Sequence, residues 1–106
     1  MSSAITASQL RALVLGVPGM DRWREVQEFF PEGADEVRLD WQLPGIACAA
    51  VGGGYSQALP AMAALACIQV SIILVDDMLD EEPEGAHHRF GIGRTANLAL
   101  ALQAAG

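Results

Sequence analysis

The sequence predicts an all-α protein, an antiparallel helix bundle, and three observations carry that expectation. Hydrophobic residues make up 52% of the chain but aromatics only 6%, so the core has to be built from Ala, Leu, Ile and Val, a palette that favours helix. Apolar residues recur at helical intervals, as in Trp23, Val26, Phe29 and Phe30. The longest apolar run, Leu59 to Val75, is too long for a strand and is interrupted only by Pro60, Gln69 and Ser71. A chain of 106 residues holds one small core. The expected plan is a single domain, with peripheral helices over 1–55 and core helices over 56–106.

The first helix is expected from Ser3 or Ser8 to Leu15, with Ile5, Leu10, Leu13 and Val14 on its apolar face. Gly16-Val17-Pro18-Gly19 breaks it. Asp21 then reads as the N-cap of a second helix, whose aromatic residues pack rather than form a ligand cage. "PEGADE" (31–36) is a polar connection. A short helix covers Ile46 to Val51 and ends at Gly52–Gly54. No Lys-Ser or Lys-Thr follows that triple glycine, so it reads as a turn and not as a phosphate loop.

A long helix should start at a cap near Ser56 or Leu59, tolerate Pro60 in its first turn, and run to about Glu82, where Pro83 and Gly85 stop it. "HHRFGIGR" (87–94) reads as a loop, and helical composition resumes from Thr95 to Gly106. So apolar a central helix needs neighbours on several sides. The chain is therefore expected to be incomplete or to have an oligomeric partner.

Charge excludes some partners. Six Arg, no Lys and 13 acidic residues give −7, which leaves no cation cluster for nucleic acid or an anionic membrane surface. Cys48 and Cys67 lack the spacing of a zinc or disulfide framework and read as buried free thiols in a reducing, cytoplasmic compartment. The N-terminus has no charged start followed by an apolar block, so it does not read as a signal peptide. The apolar run lacks basic flanks and falls short of the roughly 20 residues of a membrane span. It is expected to be a buried core helix.

That helix ends in "ILVDDMLDEEPEG" (73–85). Residues four apart on a helix are separated by about 40° in azimuth and about 6 Å along the axis, so Asp76 and Asp80 share a face, with Asp77 on the flank. Three carboxylates at a helix C-terminus repel one another and oppose the macrodipole. Full solvation, protonation or a cation relieves this. Magnesium suits such a site, because it accepts carboxylate oxygens while keeping water and phosphate oxygens as its other ligands. A calcium EF-hand does not fit, since Glu81 stands where its loop requires glycine. A solvated acidic helix end is the plain alternative.

Asp76-Asp77-Met78-Leu79-Asp80 at the end of an apolar helix, followed by "HHRFGIGRTANLALALQAAG", resembles the isoprenyl diphosphate synthases of the class I isoprenoid synthase fold. Their first aspartate-rich motif is D-D-x-x-D, followed by a basic pair, a glycine and a helix of small and apolar residues. The resemblance covers Leu59 to Gly106. It implies the N-terminal portion of an isoprenoid-synthase-type fold. It also implies a prenyltransferase that uses Mg2+ to ionise an allylic diphosphate and condense it with isopentenyl diphosphate. Asp76 and Asp80 would ligate magnesium, with Asp77 beside them, and Arg89 and His88 would hold the diphosphate. Arg94 is an alternative cation for the same task.

Two departures stand out. Phe90 intervenes between the basic pair and Gly91, so that pair is altered, and the expected Gly-Lys-Arg stretch is represented only by Arg38 in "RLDWQLPG". No second aspartate-rich motif occurs. His87 and His88 read as solvated loop residues that point to different sides. Ile72, Ile68 and Ser71 lie one and two turns before Asp76 on its face, where the resemblance implies the prenyl-tail pocket. None is aromatic, so the pocket is expected to be open at this level. The alternatives are a non-catalytic helical subunit or regulatory partner of a larger synthase, a terpene cyclase fragment, and a peptide-modifying prenyltransferase.

Overall fold

The structure, a computed structural model, describes residues 7–30 and 39–106. Ser3, Ile5, the "PEGADE" connection and Arg38 lie outside the described residues. Among those described, every regular element is helical and no strand occurs.

Helix α1 (Ala7–Leu15) buries Leu10 and Val14, whereas Leu13 faces outward. A 3-10 turn at Met20–Arg22 leads into α2 (Arg24–Phe29), which buries Val26. Asp21 is therefore not the cap expected of it. It lies inside the 3-10 turn, and α2 is preceded by extended Trp23 with no side-chain cap bond. The other end of α2 is held from outside. Arg11 on α1 donates from Nη1 to the carbonyl of Phe30 at 2.7 Å and from Nη2 to Gln27 Oε1 at 3.1 Å. A guanidinium suits that position, because carbonyls at a helix C-terminus lack intrahelical donors and carry negative partial charge.

A 3-10 turn at Leu39–Gln42 feeds α3 (Leu43–Ala50), which begins earlier than its sequence suggested because Pro44 is accommodated in the first turn. Trp41 packs its ring 5.7 Å from that of Phe30. After the glycines, another 3-10 turn at Tyr55–Ala58 runs directly into α4 (Leu59–Leu79). Neither Ser56 nor Leu59 caps α4, whose preceding residue, Ala58, makes no side-chain cap bond. Gln57 instead accepts a hydrogen bond at 2.6 Å from the Gly54 N–H through Oε1. The short helix α5 (His87–Phe90) and α6 (Ile92–Ala105) complete the fold. The sequence reading placed a loop over 87–94, but α6 begins at Ile92, just after Gly91 at φ 87°. Glycine adopts that conformation at little steric cost.

Helix α4 is the centre, flanked by α1, α3 and α6. Met62, Ala66, Cys67, Val70 and Leu74 form its inner side, facing a core that includes Leu98 and Leu102 of α6. Helix α6 runs back along α4, so that Gly106 lies against Ala64 and Ile68. Of the two thiols expected in the core, only Cys67 is buried. Cys48 is half-buried, with Sγ 3.4 Å from the Gly54 carbonyl.

Two predictions follow from this packing. Arg11→Ala removes charge-assisted bonds to the end of α2 and should lower unfolding stability by about 1–2 kcal/mol in urea melts. Burial pushes the Cys67 thiol up to about 11 from an ordinary value of 9.0. Between those two values the unfolded chain releases a proton that the folded chain keeps, so stability falls as pH rises through that window. Urea melts of Cys67→Ala should lose that part of the alkaline decline.

Candidate functional site

Helix α4 is apolar around most of its circumference, but its neighbours cover only part of it. The inner residues occupy roughly half a turn. Ile68, Ile72, Val75 and Leu79 fall on the opposite side at intervals of four, three and four residues, and all four are exposed. Where α6 lies beside this stripe, the two helices bound an open groove of about 600 Å³. Ile68, Ser71, Ile72, Val75 and Met78 form the α4 wall, with Asp76 among them toward its C-terminal end. The facing wall is Ala96, Ala99, Leu100 and Gln103 of α6.

The groove lining is almost wholly apolar. Its one hydroxyl, that of Ser71, donates to the Ile68 carbonyl at 2.6 Å and is thereby satisfied within its own helix. A ligand would find little to hydrogen-bond along the walls and a carboxylate near one end.

Helix α4 stops three residues short of the expected Glu82. Asp80 is its C-cap, and Glu81 is the sole non-glycine residue at positive φ, 51°, among the described residues. The Glu82 N–H donates to the Asp77 carbonyl at 2.9 Å and the Glu81 N–H to the Met78 carbonyl at 3.3 Å. These two bonds form a Schellman close, a motif that normally places glycine where Glu81 stands. Asp80 keeps helical backbone angles, and its N–H donates to the Asp76 carbonyl at 2.9 Å. The one-turn relation between Asp76 and Asp80 thus survives the helix end.

Asp77 is separated from that pair. Neighbouring helix residues point about 100° apart, and Asp77 is half-buried where the following loop folds back, whereas Asp76 and Asp80 are exposed. Gly85 is wedged there. A Cβ on Gly85 would lie 3.1 Å from Asp77 Cβ and 2.6 Å from His87 Nδ1, so only glycine lets the loop pass. Among the described residues no three His, Cys, Asp or Glu side chains gather into a group that could hold a metal ion. What the aspartates offer is a pair, Asp76 and Asp80, whose remaining ligands would be water and phosphate oxygens. A two-carboxylate set fits magnesium used in that way.

No protein-family model, no curated protein and no solved structure matches this chain.

The basic residues are placed differently from one another. Arg89 pairs with Glu28 of α2 at 3.2 Å and lies over the Phe90 ring at 4.7 Å, while Arg94 reaches Glu25 at 3.6 Å. His88 is exposed, but His87 is buried and its Nδ1 finds no hydrogen-bond partner among the described residues. The two imidazoles stack at 4.1 Å rather than pointing apart, because His87 opens a helical turn that tucks under the loop. The solvated-loop expectation thus fails for His87.

The sequence reading named one wall of the groove and missed the other. The signal was present as the 96, 99, 100, 103 spacing, but only the return of α6 along α4 shows that this stripe faces Ile72. One segment, Ser56–Leu79, is also long and apolar enough to cross a membrane by length and composition, with 44% of its most apolar window buried by the rest of the chain. Glu81→Gly should relieve the left-handed strain and raise stability by about 1 kcal/mol in thermal or urea melts.

Proposed function

We propose that this chain supplies the first metal half-site and the tail groove of a prenyltransferase of the isoprenyl diphosphate synthase type. One observation carries the reading: a carboxylate, Asp76, lines an apolar groove near one of its ends, with a second, Asp80, one turn beyond it. A diphosphate bearing an isoprenoid tail needs both parts, an apolar channel and a site that tolerates a cation beside an anion.

In this reading Asp76 and Asp80 hold Mg2+, with Asp77 supporting the loop beside them. Bound there, the ion would neutralise the diphosphate and favour its departure from the allylic carbon. The groove residues Ile68, Ile72 and Ser71 receive the tail and keep water away from it. Arg89 and His88 stand next to the acidic segment in sequence. Arg89 can exchange Glu28 for a phosphate oxygen at small cost, because exposed ion pairs contribute only about 0–1 kcal/mol. The isopentenyl diphosphate site and the second metal cluster come from residues beyond this sequence or from a partner chain. An isoprenoid-synthase-type bundle is the matching fold, and Ser56–Leu79 serves as a core helix of a cytoplasmic enzyme rather than a membrane span.

A second reading has its own support. Ile72 and Leu79 are 52% and 76% exposed, enough for a helix of another protein to cover them. That arrangement would make the chain a non-catalytic helical subunit.

Calorimetric titration with a non-hydrolysable allylic diphosphate separates the two. The enzyme reading expects binding that requires magnesium and that weakens in Asp76→Asn/Asp80→Asn by at least about ten-fold, the scale on which even outer partners of metal ligands act. Binding indifferent to magnesium, or to the double substitution, would reject it.

A further inference from the structure

Charge is unevenly distributed along the chain. All six Arg and all 13 acidic residues fall in 1–40 or 76–106, and both histidines follow Asp76 as well. The interval from Trp41 to Val75 carries no ionisable side chain of these kinds, and it contains α3 and most of α4. Helix α3 packs on α4 and on the 3-10 turn that leads into it. Its C-terminal end is tied there, with the Gly53 N–H donating to the Cys48 carbonyl at 2.9 Å. The acidic segment begins at the other end of α4, whose 21 residues span about 30 Å.

One side of α3 is packed and the other is bare. Gly45 faces the core, whereas Leu43 and Ile46 are 54% and 46% exposed, and Ala47 and Ala50 are exposed beside them. Successive helix residues turn by about 100°, so these four fall within about 100° of azimuth and form a single apolar stripe. Its order along the helix is large, large, small, small. Two such stripes fit one another when the helices run antiparallel about a two-fold axis between positions 46 and 47. Leu43 then faces Ala50 of the second copy, and Ile46 faces Ala47 of the second copy. Every large side chain meets a small one, as interdigitating helix surfaces require. Parallel pairing would set large against large and put Asp40 of both copies at the same end.

We propose that the exposed side of α3 is a self-association surface, through which two copies of this chain pair antiparallel about a two-fold axis. Charge selects the partner. A chain of −7 repels its own copy over most approaches, and α3 lies in the interval that carries none of that charge. A partner recognised through ion pairs would find no charged side chain along α3 to meet. An isologous contact must also occur twice, which the pairing of 43 with 50 and of 46 with 47 provides. Helix α3 contributes no residue to the groove between α4 and α6, so the pairing goes beyond the proposed function and leaves that groove open. Two helical turns cover less than the roughly 800 Å² per partner of a standard interface. The dimer is therefore weak, with a dissociation constant on the order of 100 µM.

Sedimentation equilibrium from micromolar to millimolar concentration tests this. The unsubstituted protein should pass from monomer to dimer. Ile46→Arg should weaken the dimer by at least about ten-fold, because each pair would bury two unpartnered guanidinium groups. The size order gives a sharper readout. Ile46→Ala leaves small against small and Ala47→Ile sets large against large, so each alone should weaken association. Combined, the two substitutions restore large against small and should recover most of it. Leu79→Arg, on the exposed side of α4, should leave the dimer unchanged. All of these positions are exposed, so folding is expected to survive, and far-ultraviolet circular dichroism checks that it does. A monomer at every concentration, a dimer indifferent to Ile46→Arg, or a combined variant no better than its two parents overturns the proposal. So does a dimer lost on Leu79→Arg, which would mean that the copies meet through α4. None of these results bears on magnesium-dependent binding of a diphosphate, so the two readings fail separately.

Discussion

The arrangement depends on one constraint: α4 has more apolar surface than the other helices of this chain cover. Its inner side is packed by α1, α3 and α6, with Met62, Ala66 and Cys67 almost wholly out of water. Its outer side keeps Ile68, Ile72, Val75 and Leu79 in contact with solvent. Each such side chain, if fully buried, would contribute about 1.5–3 kcal/mol, a strong driving force toward some occupant. The groove beside α6 is where that force is concentrated. An isoprenoid tail and a partner helix satisfy it equally well as hydrocarbon. What distinguishes them is the carboxylate near the end of the groove, which a purely apolar partner would have to leave solvated.

The second organising feature is how α4 ends. A helix that stops must provide for its last carbonyls, and here two backbone N–H groups do so in a Schellman close. That close places Glu81 in a conformation glycine would adopt more easily, so the local sequence is not optimised for helix termination. The geometry has an effect on the aspartates. Because Asp80 retains helical angles and the turn reverses only at Glu81, Asp76 and Asp80 stay one turn apart on the exposed side, while Asp77 is left beneath the returning loop. A stop one residue earlier would have put the reversal at Asp80 and separated the pair.

Much of this was legible in the sequence. All-helical character, the central run from Leu59 and the shared face of Ile68, Ser71, Ile72 and Asp76 follow from composition and a period of 3.6, which are local properties. What could not be read were features that depend on two segments meeting. The α6 wall needs the register set at Gly106, and burial of His87 needs the loop to fold back over Asp77. The C-terminal end of α2 is held by Arg11, sixteen or more residues away in sequence, whereas local reasoning offered only a cap at the other end, Asp21, which does not form. The stop of α4 was misplaced for a related reason: Pro83 marks where a helix cannot continue, whereas the backbone had already reversed at Glu81.

Net charge explains why metal and anion belong together in the proposed site. With −7 overall and acidic residues clustered from Asp76 to Glu84, a free diphosphate approaching this end of α4 meets repulsion of the same sign. The cations that follow this acidic segment in sequence are Arg89 and Arg94, and each is engaged with a glutamate of α2. Those pairs are exposed and weak, so they can open, but opening one frees a carboxylate for every guanidinium and leaves the local balance unchanged. Rearrangement of the protein's own charges therefore supplies no net attraction for the anion. An added divalent cation does, because it turns the Asp76–Asp80 pair from a repulsive end into a bridging one. If the groove accepts an anionic amphiphile at all, electrostatics requires the head group to arrive with its metal.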